Sequence, residues 1–279
     1  MSNNKAVYYQ RWNLQHRLQH ISLVISMIGL LWTGMAMKFY TEAWAKGTFR
    51  IFTGFHGTLI VHKISAALLI LVSVWHLSYL LTYLAKHGVK EAGPRSWAML
   101  PGLKDFIDAK DHALYLLKLS DKPPQYDRYS YLEKFEYLSI FWGMAAMGLS
   151  GAALWFPEVA AQWIPRSWLD GLRLIHTNEA LVALIALAYG HLFTAHFNPI
   201  FFPQNSMYLT GKISLEHMLE EHPAEYARLA SKGDLPAMAG SSHEHGLTGW
   251  RWGLGAVELI IYSAVFYYLL YTFIPKLLA

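Results

Sequence analysis

"VHKISAALLILVSVWHL", residues 61–77, sets His62 and His76 into a run that is otherwise almost wholly apolar and longer than most soluble core helices. Two ionisable rings in such a run need partners, because desolvation penalises them unless they are paired or bound. The run belongs to one of five apolar blocks, residues 21–37, 57–84, 135–156, 174–197 and 252–274. Each is near the about 20 residues that cross a hydrocarbon core. The 54% hydrophobic and 15% charged composition is therefore concentrated rather than spread. The pattern predicts an all-α integral membrane protein, one membrane domain over 1–279. Its five transmembrane helices are expected at 18–38, 57–84, 133–156, 174–197 and 250–275, with long loops at 85–132 and 198–249. Helices are the natural choice because backbone groups in lipid must be satisfied within the segment itself. The first block is read as a span rather than a signal peptide, since it ends in bulky residues and follows a polar stretch.

Lysine and arginine placement orients the bundle. The N-terminal segment and the two long loops carry 14 of the 23 basic residues, among them Arg11, Arg17, Lys104, Lys122, Arg128, Lys212 and Arg228. The opposite side carries six: Lys38, Lys46, Arg50, Arg166, Arg173 and Lys276. The N-terminus and the two long loops are accordingly expected to be cytoplasmic, in a multi-pass membrane protein. The net charge of +4 follows from this bias. No basic patch interleaved with aromatics points to nucleic acid. Cysteine is absent, which excludes disulfides, thiolate-held iron–sulfur clusters and covalently attached c-type haem on this chain. Within the loops, "LKDFIDAKDHALYLLKL" and "SLEHMLEEHPAEYARLA" read as short amphipathic helices folding onto the inner face or onto a partner.

The chain has 14 histidines. His62 and His76 are 14 residues apart in the second span, which at 100° per residue leaves them on one face and about 21 Å apart in depth. His176 and His191 repeat the arrangement in the fourth span, about 22 Å apart. On the topology above, both helices run from the outside inward. His62 and His176 then share the outer level, and His76 and His191 the inner one. A lone intramembrane histidine is readily explained by a hydrogen bond to a neighbouring helix. Four at matched depths fit two haems, each held by imidazoles from two helices. A zinc or copper centre would gather its ligands within a few Å, not across a bilayer.

"RLQH" followed by "TG" in the first span, "HKISAALLIL" in the second and "LIHTNEALVALIALAYGH" in the fourth resemble the bacterial dihaem cytochrome b family. That family includes the gamma subunit of formate dehydrogenase and the cytochrome b of nickel–iron hydrogenases. The stretch "AHFNPIFFPQNSMYLTGKISLEHMLEEHPAEY" is similar to a branch associated with multihaem c-type cytochromes or other respiratory modules. The resemblance implies ligands from helices 1, 2 and 4: His62 with His176 for an outer b-type haem, His20 with His191 for an inner one. His76 has no equivalent in that pattern, whereas depth alone selects it as the partner of His191. A third alternative sets His20 opposite His196 to hold a third haem.

The resemblance further implies a subunit that passes electrons between menaquinone or ubiquinone and a partner carrying iron–sulfur clusters or c-type haems. Family analogy puts the quinone on the cytoplasmic side, where Asn198, Gln204 or the "EHP" segment offers a hydrogen-bond partner. Two other readings are a haem-free transporter using histidines as proton relays, and a haem-containing anchor without quinone chemistry. No constellation for chemistry on another substrate is present in the sequence.

Overall fold

The computed structural model describes residues 7–88, 99–198, 201–235, 239–240, 248–268, 270 and 274. These gather into two compact units. One comprises Leu18–Pro124 and Tyr129–Leu184; the other comprises Met1–Arg17, Gln125–Arg128 and Ile185–Ala279.

The first unit is helical. After α1 (Leu14–Lys38) come α2 (Ala43–Ile51), α3 (Phe55–His87), α4 (Leu103–Leu116), α5 (Tyr131–Trp155), the short α6 (Pro157–Ala160) and α7 (Arg166–Ile185). Among the described residues, four helical spans are long and apolar enough to cross a membrane: α1, α3, α5, and α7 with its continuation to Phe197. The helices outrun the apolar blocks because local chemistry sets their ends. At α5, Ser130 Oγ accepts from the Glu133 amide at 3.2 Å while the Ser130 amide donates to the Glu133 carboxylate at 2.7 Å. This capping box satisfies two amides that a helix N-terminus leaves open. The amphipathic α4 is fastened to α5 by Lys134 and Asp105, 2.9 Å apart and both nearly buried.

Side-chain distribution in this unit is inverted relative to a soluble core. Ser26, Thr33 and Thr58 are fully buried and Ser150 nearly so, whereas Ile64, Leu71, Trp142 and Leu149 stand largely exposed. Lipid solvates the apolar face, and small hydroxyl residues let helices approach closely and spend their hydrogen bonds inside.

The second unit departs from the all-helical expectation by a small sheet. β1 (Tyr8–Gln10) pairs antiparallel with β2 (Lys212–Ser214) and with β3 (Ala239–Gly240), in the order β2-β1-β3. Tyr9, Ile213, Met218 and Leu229 form its apolar core. The helices are α8 (Met207–Thr210), α9 (Leu215–Glu221), α10 (Pro223–Lys232) and α11 (Thr248–Tyr268). α9 and α10 realise the expected helical piece, broken at Pro223. α11 covers most of the expected fifth span; of its last residues, 269–275, only 270 and 274 are described.

Charges hold this unit together. Glu225, fully buried, is ion-paired with Arg11 Nε at 3.2 Å and accepts from Arg128 Nη1 at 3.0 Å. The two guanidiniums also donate reciprocally, Arg11 to the Arg128 carbonyl and Arg128 to the Arg11 carbonyl. His222 Nδ1 donates to the Asp127 carbonyl at 2.8 Å. Burial first, and then the positive charge of Arg11, hold His222 well below the usual imidazole range, against that hydrogen bond.

Removing one partner from a buried ion cluster strands the remaining charge. Glu225→Ala should therefore destabilise this unit by about 3–5 kcal/mol, read as lost hydrogen-exchange protection over α9 and α10. His222 adds a pH dependence. Folded, it stays neutral; unfolded, it takes a proton near 6.5. The unfolded form binds more protons below that pH, so stability is full above it and falls as pH drops toward the depressed folded pKa. Exchange protection in α9 and α10, corrected for intrinsic rates, should weaken on acidification through this window, and His222→Asn should flatten the dependence.

Candidate functional site

α3 and α7 bring His62 and His176 together, with ring centroids 6.4 Å apart and planes at 74°. Each ring is held through Nδ1 by a hydroxyl from another helix. Thr33 Oγ1 of α1 lies 2.9 Å from His62 Nδ1, and Ser150 Oγ of α5 lies 3.0 Å from His176 Nδ1. Both hydroxyls already donate to a carbonyl four residues back, Thr33 to Gly29 at 2.5 Å and Ser150 to Ala146 at 2.6 Å. Their oxygens are therefore left to accept. The network assigns the proton to Nδ1 on each ring and leaves each Nε2 with a free lone pair.

A glycine completes each cradle. A Cβ at Gly34 would meet His62 Cε1 at 3.2 Å, and one at Gly151 would meet His176 Cε1 at 3.0 Å. The site fits the group that the sequence calls for. Two metal–imidazole bonds of about 2 Å each, with the two ring radii added, come close to the 6.4 Å between centroids. The residues that would hold a haem iron here are His62 and His176.

The remaining histidines differ in kind. His76 has both nitrogens engaged within its own unit: Nδ1 donates to Gln19 Oε1 at 2.9 Å, and Nε2 accepts from Tyr137 OH at 2.8 Å. Gln19 is itself nearly buried. His20 follows it on α1, partly buried. His191 and His196 belong to the other unit, on two π-helical segments, Ala186–His191 and Phe193–Phe197. There the amides bond five residues back, Leu192 to Leu187 and Asn198 to Phe193. The count of 100° per residue applied to His191 consequently does not hold beyond Ile185. The His191 and His196 rings are also 6.4 Å apart, at 90°. Being one wide turn apart on a single helix, they stand side by side and cannot clasp a flat macrocycle from its two faces.

Close to His196, the fully buried Gln204 donates to Glu258 Oε1 at 2.8 Å and to Tyr208 OH at 2.9 Å, while Arg251 donates to the Gln204 carbonyl. Glu258 Oε2 lies 4.0 Å from His196 Nδ1. Tyr208 is raised above the ordinary phenol range by burial first and by the nearby Glu258.

Sequence reasoning missed Ser150, Gly151, Gln19, Tyr137 and Glu258, and gave Thr33 no role. One signal was available for two of them. The dipeptide "TG" at 33–34 recurs as "SG" at 150–151, each a small hydroxyl followed by glycine inside an apolar helix.

Gly34→Ala and Gly151→Ala should each push an imidazole by a few tenths of an ångström and lower the haem retained on purification. Gly143→Ala, on α5 with open space around its Cβ position, should leave the haem content at the wild-type level. Pyridine haemochrome quantification per chain measures all three.

Comparison with curated proteins gives no match. A family model described as prokaryotic cytochrome b561 matches residues 11–208, which include α1, α3, α5, α7 and all six candidate histidines. With more than half its length matched and with membrane-spanning helices carrying paired imidazoles, the chain belongs to the prokaryotic cytochrome b561 family, whose members are haem b proteins of membrane electron transfer.

Proposed function

We propose that the protein is the b-type cytochrome subunit of a respiratory complex in the bacterial inner membrane, carrying electrons across the bilayer between the quinone pool and a partner redox subunit. The observation that carries the reading is the His62–His176 pair, spaced for one metal and with both Nδ1 protons already committed. Haem, when bound, supplies reversible one-electron iron chemistry. His62 and His176 hold the outer group. His191 holds the inner one, with His20 as its second ligand on the family pattern. His76 is left out of the ligand set because Gln19 and Tyr137 occupy both of its nitrogens. His196 is left out because the family pattern gives it no ligand role. The reading therefore has two haems. It keeps five spans, with α11 as the fifth, and a cytoplasmic N-terminus.

Menaquinone or ubiquinone is placed beside Gln204. The side-chain oxygen of this buried residue and Oε2 of Glu258 have no hydrogen-bond partner among the described residues, and a quinol hydroxyl donates to such acceptors. A cavity of 180 Å³ lined by Phe201, Asn205, His217 and Arg251 adjoins Gln204 through Arg251, which donates to the Gln204 carbonyl. The partner would be an iron–sulfur protein or a multihaem c-type cytochrome.

Reduced-minus-oxidised spectroscopy of the purified chain tests the core of this reading, and absence of a b-type band refutes it. His62→Ala and His176→Ala should each remove one haem per chain, and His76→Asn should remove none. Quinol should reduce the bound haem, and Gln204→Leu should slow that reduction at least tenfold if the lost hydrogen bond is worth about 1.5 kcal/mol.

A further inference from the structure

We infer that Thr33 and Ser150 are positioning residues whose hydroxyls, by accepting from Nδ1 of His62 and His176, set the electron affinity of the metal these imidazoles hold. The inference rests on the outer-haem assignment above. Its strength is that the device occurs twice, on α1 and α5, neither of which supplies a ligand to this site.

The two copies agree in every particular. The imidazole-to-hydroxyl distances are 2.9 and 3.0 Å, and the hydroxyl-to-carbonyl distances are 2.5 and 2.6 Å. The next residue is in each case a glycine against which the ring lies, with a Cβ position 3.2 or 3.0 Å from Cε1. Back-bonding alone is ordinary in apolar helices. Ser78, Thr82 and Ser139 do the same, donating to Val74, Ser78 and Phe135. What distinguishes Thr33 and Ser150 is that the second bond is to an imidazole, made where the side chains are fully or almost fully buried. The Leu30 and Met147 carbonyls also bond these rings, so what a deleted hydroxyl removes is one of two acceptors.

A hydrogen bond from the distal N–H of a ligating imidazole raises the basicity of the nitrogen on the metal. A more basic ligand favours the higher oxidation state, so each hydroxyl lowers the reduction potential of the iron it acts on. Two such bonds on opposite ligands push the same way. The outer haem is thereby made harder to reduce than bare imidazoles would make it.

The test uses the full-length chain and four variants: Thr33→Val and Ser150→Ala without the hydroxyl, Thr33→Ser and Ser150→Thr with it. Redox titration followed by optical and low-temperature electron paramagnetic resonance spectra reads the two haems separately. The expected result is an upward shift in the midpoint potential of one haem in each hydroxyl-free variant and a larger shift in the double variant. The other haem should be unmoved, and the wild-type potential kept in Thr33→Ser and Ser150→Thr. Wild-type potentials in the hydroxyl-free variants overturn the inference, as do equal shifts in the hydroxyl-bearing ones. Should one hydroxyl-free variant fail to accumulate, the other gives the same reading from a different helix. Failure of the haem assignment is separately visible: His62→Ala would then retain both haems whatever the Thr33 and Ser150 potentials.

Discussion

An imidazole ring in a hydrocarbon layer has two nitrogens, and each must be given something to bind. In the first unit the surrounding helices meet that requirement in two ways. His76 is satisfied on both sides by neighbours, Gln19 from α1 and Tyr137 from α5. His62 and His176 are satisfied on one side only, each by a hydroxyl. The same helix α3 thus carries one histidine that ties helices together and one with a nitrogen to spare. That difference lies in what α1 and α5 present, not in α3.

The two units are stabilised by different physics. In the first, apolar side chains turn outward and buried hydroxyls mediate close helix approach, as lipid solvation requires. In the second, an apolar cluster of Tyr9, Ile213, Met218 and Leu229 is joined by a carboxylate shared between two arginines. A shared charge of this kind contributes more to holding one arrangement than to net stability, because desolvation offsets much of the Coulomb attraction.

Four of the five expected spans and the nearness of His62 to His176 were legible in the sequence because both rest on periodicity and depth, which an α-helix preserves over many turns. His191 was legible as an intramembrane histidine but not in its facing, since the helix widens beyond Ile185 and nothing in "ALAYGH" announces it. The role of His76 was hidden because Gln19 and Tyr137 are remote in sequence and unremarkable alone. Glu258 was hidden for the opposite reason: one acid in "WGLGAVELIIYSAVF" looks like an interruption until Gln204 is seen against it. The sheet was illegible because strands of two and three residues carry no alternation to detect.

The buried triad of Glu225 with Arg11 and Arg128 also orders events in time. Synthesis runs from the N-terminus, so both arginines are made long before the carboxylate that neutralises them, and the four apolar helices of the first unit are complete before Glu225 leaves the ribosome. Until then Arg11 and Arg128 lack the carboxylate that they share in the folded unit, and their charges are left to water. Only afterwards are they withdrawn from water and spent on tertiary structure. The fastening of this unit therefore closes only once residues 11, 128 and 225 have all been made.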